Sequence, residues 1–295
     1  MTGLIAIDWG TSSFRAWRMD RGGEVTDSVT EGPGILAASA EPGGFEGALK
    51  RAIPDWLGQG LPIIASGMIT SRNGWVETPY LPLPLDAEAL AGALVTHESA
   101  VGRIYFACGA ICDPDGPTPD VMRGEETEII GQLAVDDESE GRFVLPGTHS
   151  KWAVIEGGLL IRFRTVMTGE MFALMRDQSI LGRLIEPGEG SAAAFLRGVE
   201  TGGQEGPLLA RVFSARSLAL QERLPANEIA DYLSGLLIGD EVAGMATGPV
   251  TIIGRGDLAE RYRIALNARG IAAKIAAPGM ARQGLWKIAQ QAGIV

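Results

Sequence analysis

The alternation of apolar and polar positions is clearest at the start of the chain. Leu4 to Ile7 is a short apolar run that meets Asp8, the stretch from Asp8 to Ser13 is polar and contains glycine, and Phe14 to Met19 resumes a strand-like pattern. Gly22-Gly23 is a hairpin turn signal, which makes Glu24 to Val29 a third strand. Phe45 to Leu57 has helical spacing, Leu61 to Ala65 reads as a buried strand ending at Ser66-Gly67, Thr78 to Leu85 is a proline-rich loop, and Arg103 to Ala107 is another strand. The Asp/Pro/Gly stretch Cys112 to Pro119 is the best internal boundary.

Beyond it, Arg123 to Ala134 is predicted helical and Arg142 to Leu145 a strand, followed by a turn over Pro146 to Ser150. Lys151 to Ile155 and Leu159 to Arg164 form a hairpin about Gly157-Gly158. Helices are predicted over Met171 to Leu184, Ser191 to Val199, Leu208 to Ala219, Asn227 to Ala246, Leu258 to Arg269 and Ala281 to Gln291, with a strand at Val250 to Ile253. The order strand, Gly/Thr/Ser turn, strand, turn, strand occurs twice, at Leu4 to Val29 and at Arg142 to Arg164. Such a duplication suits two similar domains.

Composition narrows the classes. At 295 residues, two domains are the default, and 46% apolar residues supply ample core. With 25 basic and 36 acidic side chains the net charge is −11, which argues against a general nucleic-acid or anionic-membrane binder. Cys108 and Cys112, with only two histidines in the chain, make neither a disulfide framework nor a Cys/His zinc site, and read as buried free thiols. The N-terminus lacks the basic and apolar regions of a signal peptide, and no apolar run approaches a membrane span, so a soluble, cytoplasmic protein is expected. Glycine is in excess, 41 residues, which implies tight turns and places where backbone approaches a ligand.

The string Ile5-Ala6-Ile7-Asp8-Trp9-Gly10-Thr11-Ser12-Ser13 carries the most chemistry. A strand delivers Asp8 to its end, where a carboxylate can hold magnesium directly or through water, and Gly10 opens the turn. Thr11, Ser12 and Ser13 then offer hydroxyls and backbone N–H donors to phosphate oxygens. The same residues also suit a plain β-turn in which Asp and Ser satisfy the local backbone.

This string resembles the first phosphate motif of the sugar kinase/Hsp70/actin superfamily. Val144-Leu145-Pro146-Gly147-Thr148-His149-Ser150-Lys151-Trp152 resembles the second, in which a Gly-Thr turn grips the terminal phosphates. Ile252-Ile253-Gly254-Arg255-Gly256-Asp257 resembles the adenosine motif. Arg123-Gly124-Glu125-Glu126 is similar to the helix start of glycerol-kinase-like enzymes, where a carboxylate takes the proton from the acceptor hydroxyl. That position is Glu125 here, with Glu126 and Asp120 as alternatives because Glu replaces the family's Asp. A carboxylate at a helix N-terminus is also simply a favourable charge. The loop Ser66 to Trp75 is similar to the acceptor loop of the same enzymes, with Arg72 and Asn73 holding the acceptor and Trp75 as an apolar wall.

Phe14 and Arg15 leave the first turn and are further acceptor candidates, with a solvated strand position the other reading of Arg15. Glu170 either lines the acceptor site or caps its helix, and His149 either contacts phosphate or braces its turn. The glycine-containing start of the last helix, Ala281 to Leu285, suits either a close crossing between domains or a tight helix–helix contact with no hinge role.

Together with DVMRGEETEIIG, LPGTHSKW and MTGEMFALMRD, these strings resemble the 2-dehydro-3-deoxygalactonokinase family across nearly the whole chain. The resemblance implies an α/β fold of two ribonuclease-H-like (actin-like ATPase) domains with a central cleft. The first is expected over 1–115 plus the C-terminal helix 278–295, for acceptor and phosphate, and the second over 116–277, for the nucleotide. It implies ATP-dependent phosphorylation of the 6-hydroxyl of 2-dehydro-3-deoxy-D-galactonate in galactonate catabolism, with ATP and Mg2+ required. The expected partners are the sugar acid and ATP, with no nucleic acid and no membrane, and a homodimer is a candidate assembly. The alternatives are a kinase for 2-keto-3-deoxygluconate or a hexonate, and an actin- or Hsp70-like ATP-driven interaction protein.

Overall fold

The computed structural model describes residues 3–136, 139–254 and 256–295. Its strands are β1 (Leu4–Trp9), β2 (Phe14–Met19), β3 (Val25–Val29), β4 (Ile63–Ser66), β5 (Tyr80–Pro82), β6 (Val95–Ser99), β7 (Gly102–Phe106), β8 (Gly109–Cys112), β9 (Asp120–Met122), β10 (Gly141–Leu145), β11 (Ser150–Glu156), β12 (Leu159–Val166), β13 (Val250–Ile252) and β14 (Ala273–Ile275). The helices are α1 (Ile35–Ala38), α2 (Gly44–Ala52), α3 (Ala87–Gly92), α4 (Glu125–Asp136), α5 (Thr168–Gln178), α6 (Ala192–Gly202), α7 (Leu208–Val212), α8 (Ser214–Leu220), α9 (Ile229–Met245), α10 (Gly256–Ala268) and α11 (Met280–Gln291). None of the described helices is long and apolar enough to cross a membrane.

Two sheets repeat one plan. The order β3-β2-β1-β4-β7-β6 in the first and β12-β11-β10-β13-β14 in the second each place a three-strand meander beside two parallel crossover strands, and the first adds β6 antiparallel at its edge. β1 runs antiparallel to β2 and parallel to β4, which is parallel to β7; β10, β13 and β14 are likewise parallel. The duplicated pattern at Leu4 to Val29 and Arg142 to Arg164 is therefore the two meanders. A third sheet, β5-β8-β9, lies in the sequence between them.

The chain divides into two compact units. One comprises Met1–Glu140, Val154–Phe163 and Gly279–Val295, the other Gly141–Ala153 and Arg164–Pro278. Residues 116–140 thus go with the first unit, past the expected boundary at 115/116. The reason is packing: β9 pairs with β8, and α4 lies against α11 so closely that a Cβ on Gly284 would sit 1.8 Å from the Thr127 carbonyl oxygen. The Ala281 to Leu285 stretch thus makes a tight helix–helix contact inside one unit, the second of its two readings. The core of the first unit gathers Ile5, Ile7, Trp9, Phe14, Ile63 and Phe106, and that of the second gathers Val144, Trp152, Val199, Val242, Ile252 and Tyr262.

Several local expectations shift. Tyr80–Pro82 is a strand inside the predicted proline-rich loop, tolerated because it lies at the sheet edge. The predicted helix Phe45 to Leu57 ends at Ala52, two residues before Pro54, and the predicted helix Leu208 to Ala219 is two short helices meeting at Phe213. Cys108 is buried, whereas Cys112 is only partly so; both are free thiols.

Candidate active site

In the first unit, β1 carries Asp8 to its carboxyl end, beside Ser66 of β4. Carboxyl ends of parallel strands are where ligands bind in sheets of this kind. The turn between β1 and β2 is closed by the Gly10 amide donating to the Ser13 carbonyl at 2.8 Å, and is braced by the Trp9 indole N–H donating to the Pro33 carbonyl at 2.8 Å. Thr11, Ser12 and Ser13 stay exposed, and a Cβ on Gly10 would crowd the Ser13 hydroxyl at 2.9 Å.

Asp8 is not a solitary carboxylate. The Arg15 guanidinium donates to its Oδ2, and Arg15 also lies 3.7 Å from Glu128 on α4. Arg15 thereby belongs to this cluster and not to a solvated strand face. Phe14 is 1% exposed and packs edge-on against Trp9, so the structure commits it to the core instead of an acceptor surface.

Two glycines bring α4 to the same place. Gly67 has φ +91° and Gly124 φ +109°, values that favour glycine, and a Cβ on Gly124 would lie 3.1 Å from the Gly67 Cα. A Cβ on Gly67 would in turn lie 2.9 Å from the Trp9 carbonyl oxygen and 3.1 Å from Asp8 Oδ1. The ends of β1 and β4 and the first turn of α4 therefore converge, with acidic residues at the helix N-terminus, where its dipole favours them.

The two glutamates of that turn differ sharply. Glu125 is partly exposed, and one of its oxygens accepts the Arg123 amide at 2.9 Å. Glu126 is 1% exposed, and both its oxygens lie 2.8 Å from the Gly124 amide that donates to them. Burial, with the Glu125 charge adding to it, pushes the Glu126 carboxyl from 4.5 up to about 7. Glu126 is thus a buried cap of the helix entry, leaving Glu125 as the accessible carboxylate of the pair. Asp120 lies on β9, partly exposed.

Arg72 and Asn73 are exposed at the tip of the turn that the Gly74 amide closes by donating to Ser71. Trp75 does not extend this tip as a wall: it stacks on Phe45 and meets His97 and Phe106 edge-on, over the core.

In the second unit the turn after β10 exposes Thr148, whose carbonyl accepts the Glu170 amide at 3.0 Å. The carboxylate of Glu170 pairs with the His149 imidazole, so these two residues brace the turn together. A Cβ on Gly169 would lie 2.3 Å from the Gly147 carbonyl oxygen, which seats the start of α5 directly on the turn. Beneath it lies a network the sequence reading missed. Glu241 of α9, 3% exposed, accepts from the Trp152 indole at 2.6 Å, the Tyr262 hydroxyl at 2.6 Å and the Thr168 hydroxyl, and Tyr262 also meets the Ser150 hydroxyl at 2.7 Å. Burial pushes the Glu241 carboxyl up, against the pull of these donors. The Asp240-Glu241 pair that interrupts the apolar run of α9 was the available signal.

A cavity of about 350 Å³ opens beside Gly147, lined also by Phe172, Asp231, Ser234, Leu258 and Arg261. Asp231 is held by Arg261 and by the Ser191 amide. Gly254 follows β13 and Gly256, at φ +58°, begins α10; Arg255 lies outside the described residues. A larger groove, about 1240 Å³, flanks the opposite ends of β1 and β4 near Ile5 and Ile63, and contains none of these groups. Among the described residues no group of three His, Cys, Asp or Glu is arranged to hold a metal ion.

Residues 8–288 match the family model described as 2-keto-3-deoxy-galactonokinase. The chain is 33% identical over 271 residues to the 2-dehydro-3-deoxygalactonokinase of Escherichia coli (strain K12), covering 90% of each chain. It superposes with TM-score 0.89 and 31% identity on the crystal structure of a Sinorhizobium meliloti protein assigned as a 2-dehydro-3-deoxygalactonokinase, over 97% of this chain and 98% of that one. Component A of the Acidaminococcus fermentans (R)-2-hydroxyglutaryl-CoA dehydratase, at 12% identity and TM-score 0.51 over 99% of this chain and 100% of that one, shares the fold alone, that of the actin-like ATPases and sugar kinases.

Proposed function

The chain belongs to the 2-keto-3-deoxy-galactonokinase family, and from that premise we propose that it transfers the terminal phosphoryl group of ATP to the 6-hydroxyl of 2-dehydro-3-deoxy-D-galactonate. The observation that carries the reading is the convergence of Asp8, Gly67 and the Gly124-Glu125 helix start at the carboxyl ends of β1 and β4. A sugar hydroxyl is a poor nucleophile until its proton has somewhere to go, and Glu125 is the accessible carboxylate there. Arg72 takes the acceptor's carboxylate, a pairing suited to a guanidinium, and Asn73 its hydroxyls. The acceptor roles considered for Phe14 and Trp75 are replaced by core packing.

For the nucleotide, we assign to the first unit the Gly10, Thr11, Ser12 and Ser13 turn, and to the second Gly147, Thr148, Gly254 and Gly256. Charge on the transferred group is met by backbone and hydroxyl donors, so an overall charge of −11 is no obstacle. Magnesium, when bound with ATP, supplies charge neutralisation at the phosphates. The donor set fits it: β1 carries Asp8 at its carboxyl end and runs into the exposed hydroxyls of Thr11, Ser12 and Ser13, and one carboxylate with neighbouring hydroxyls and water is what a phosphate-borne magnesium accepts. A phosphoryl donor of this kind suits a cytoplasmic reaction.

The test is ADP release, in a coupled assay, with 2-dehydro-3-deoxygalactonate, 2-keto-3-deoxygluconate and hexonates as acceptors. Fastest turnover on the first supports the reading. Turnover confined to another acid would replace the substrate, and ATP hydrolysis indifferent to every acceptor would replace the activity.

A further inference from the structure

Arg123 has no part in the roles assigned so far, yet it makes the densest set of side-chain contacts in the first unit's site. Its Nη1 donates to the Thr70 carbonyl at 2.6 Å, the Thr70 hydroxyl at 2.8 Å and the Thr78 hydroxyl at 2.6 Å, while Nη2 donates to the Thr78 carbonyl at 3.0 Å. The guanidinium also lies over the Tyr80 ring, 4.2 Å from its centroid. Thr70 and Thr78 are the two ends of the loop that carries Arg72 and Asn73, and the Thr78 amide donates to the Thr70 carbonyl at 3.0 Å, closing the loop at its base. One side chain thus grips both ends of a loop whose tip is exposed. It does so from a backbone position two residues before Glu125, whose carboxylate accepts the Arg123 amide.

We propose that Arg123 is a positioning residue that sets the span between the acceptor loop and the base. This rests on the assignment of Arg72 and Glu125 above. An acceptor gripped at its carboxylate presents its far hydroxyl to Glu125 only if loop and helix keep a fixed separation, and a displacement of about 1 Å costs on the order of 100-fold in rate. Chain length of the acid is what such a fixed span reads: an acid one carbon shorter, held at the same carboxylate, falls short of the base. A planar fork with five donors serves both loop ends at once, whereas a lysine ammonium serves one as a point charge.

The test uses the full-length protein with Arg123→Lys and Thr78→Val, the latter removing one hydroxyl from the clamp while leaving Arg123 intact. Amide hydrogen exchange without substrate is the first readout. Exchange over residues 71–77 rises in both variants while the strands of the first sheet keep their protection; unchanged exchange there would overturn the clamp. Steady-state kinetics is the second. For Arg123→Lys the acceptor KM rises about 10-fold or more and kcat falls, KM for ATP stays within 2-fold, and the preference for the six-carbon acid over its five-carbon analogue shrinks by a similar factor. Selectivity that survives with only a lowered melting temperature would reduce Arg123 to a structural brace and overturn the proposal. A wild-type protein inactive on every keto-deoxy acid would refute the functional reading instead, leaving the exchange result to decide the clamp.

Discussion

Replacing Glu126 by glutamine separates the two glutamates of the α4 entry. In the folded protein the Glu126 carboxyl is buried and titrates near 7, against 4.5 for the unfolded chain. The folded state therefore binds this proton more tightly than the unfolded state does. Its contribution to stability is fully present below about pH 4.5 and is lost as pH rises through 7. A rise from 4.5 to about 7, at 1.36 kcal/mol per pKa unit, corresponds to about 3 kcal/mol in all, most of it (about 2–3 kcal/mol) lost between pH 5 and pH 8. Other carboxylates act in the opposite sense, Asp177 beside Arg176 among them, so the informative quantity is the difference between wild type and variant at each pH. Glutamine keeps an oxygen for the Gly124 amide and cannot ionise. Urea unfolding at pH 5, 6, 7 and 8 on both proteins should show the variant gaining about 2–3 kcal/mol relative to wild type across that range, with turnover at pH 8 retained. Parallel pH profiles would refute the reasoning, because they would mean that Glu126 is not held against ionisation by its surroundings.

Two further outcomes follow from the same unit. Gly284→Ala drives a methyl to 1.8 Å from the Thr127 carbonyl oxygen and 3.1 Å from the Gly131 amide nitrogen, so α11 and α4 must part. Overpacking of this kind costs about 1–3 kcal/mol, read by calorimetry as a lowered melting temperature, and an unchanged one would deny the crossing. Arg72→Met should raise the acceptor KM about 10- to 100-fold, the worth of a charge-assisted pair, while KM for ATP stays put; equal effects on both would remove Arg72 from the acceptor.

What the sequence made legible was local and strongly patterned. The run from Leu4 to Val29 has apolar strands, a polar turn and a glycine hairpin, and all three strands formed where expected. Glu125 and Arg72 were singled out by the strings around them, and both fall within one unit. Contacts between distant segments were not legible. Trp75 and Phe14 carry the same aromatic character whether they line a ligand or a core, and only the positions of Phe45, His97 and Trp9 decide for the core. The clamp at Arg123 joins residues 45 and 53 positions apart, and the Glu241 network joins residues up to 112 apart, beyond the reach of periodicity. The boundary near 115 followed a composition change, whereas the fold is governed by α4 packing on α11, the chain's last helix. The paired glutamates illustrate the same point: neighbours in sequence, they part company because one turns inward to the Gly124 amide.

The most direct test of the account is the turnover of Glu125→Gln with ATP and 2-dehydro-3-deoxygalactonate, measured beside its affinity for ATP. If Glu125 removes the acceptor's proton, turnover falls at least about 100-fold while ATP still binds with wild-type affinity. Near-normal turnover would contradict it and return the base to another carboxylate.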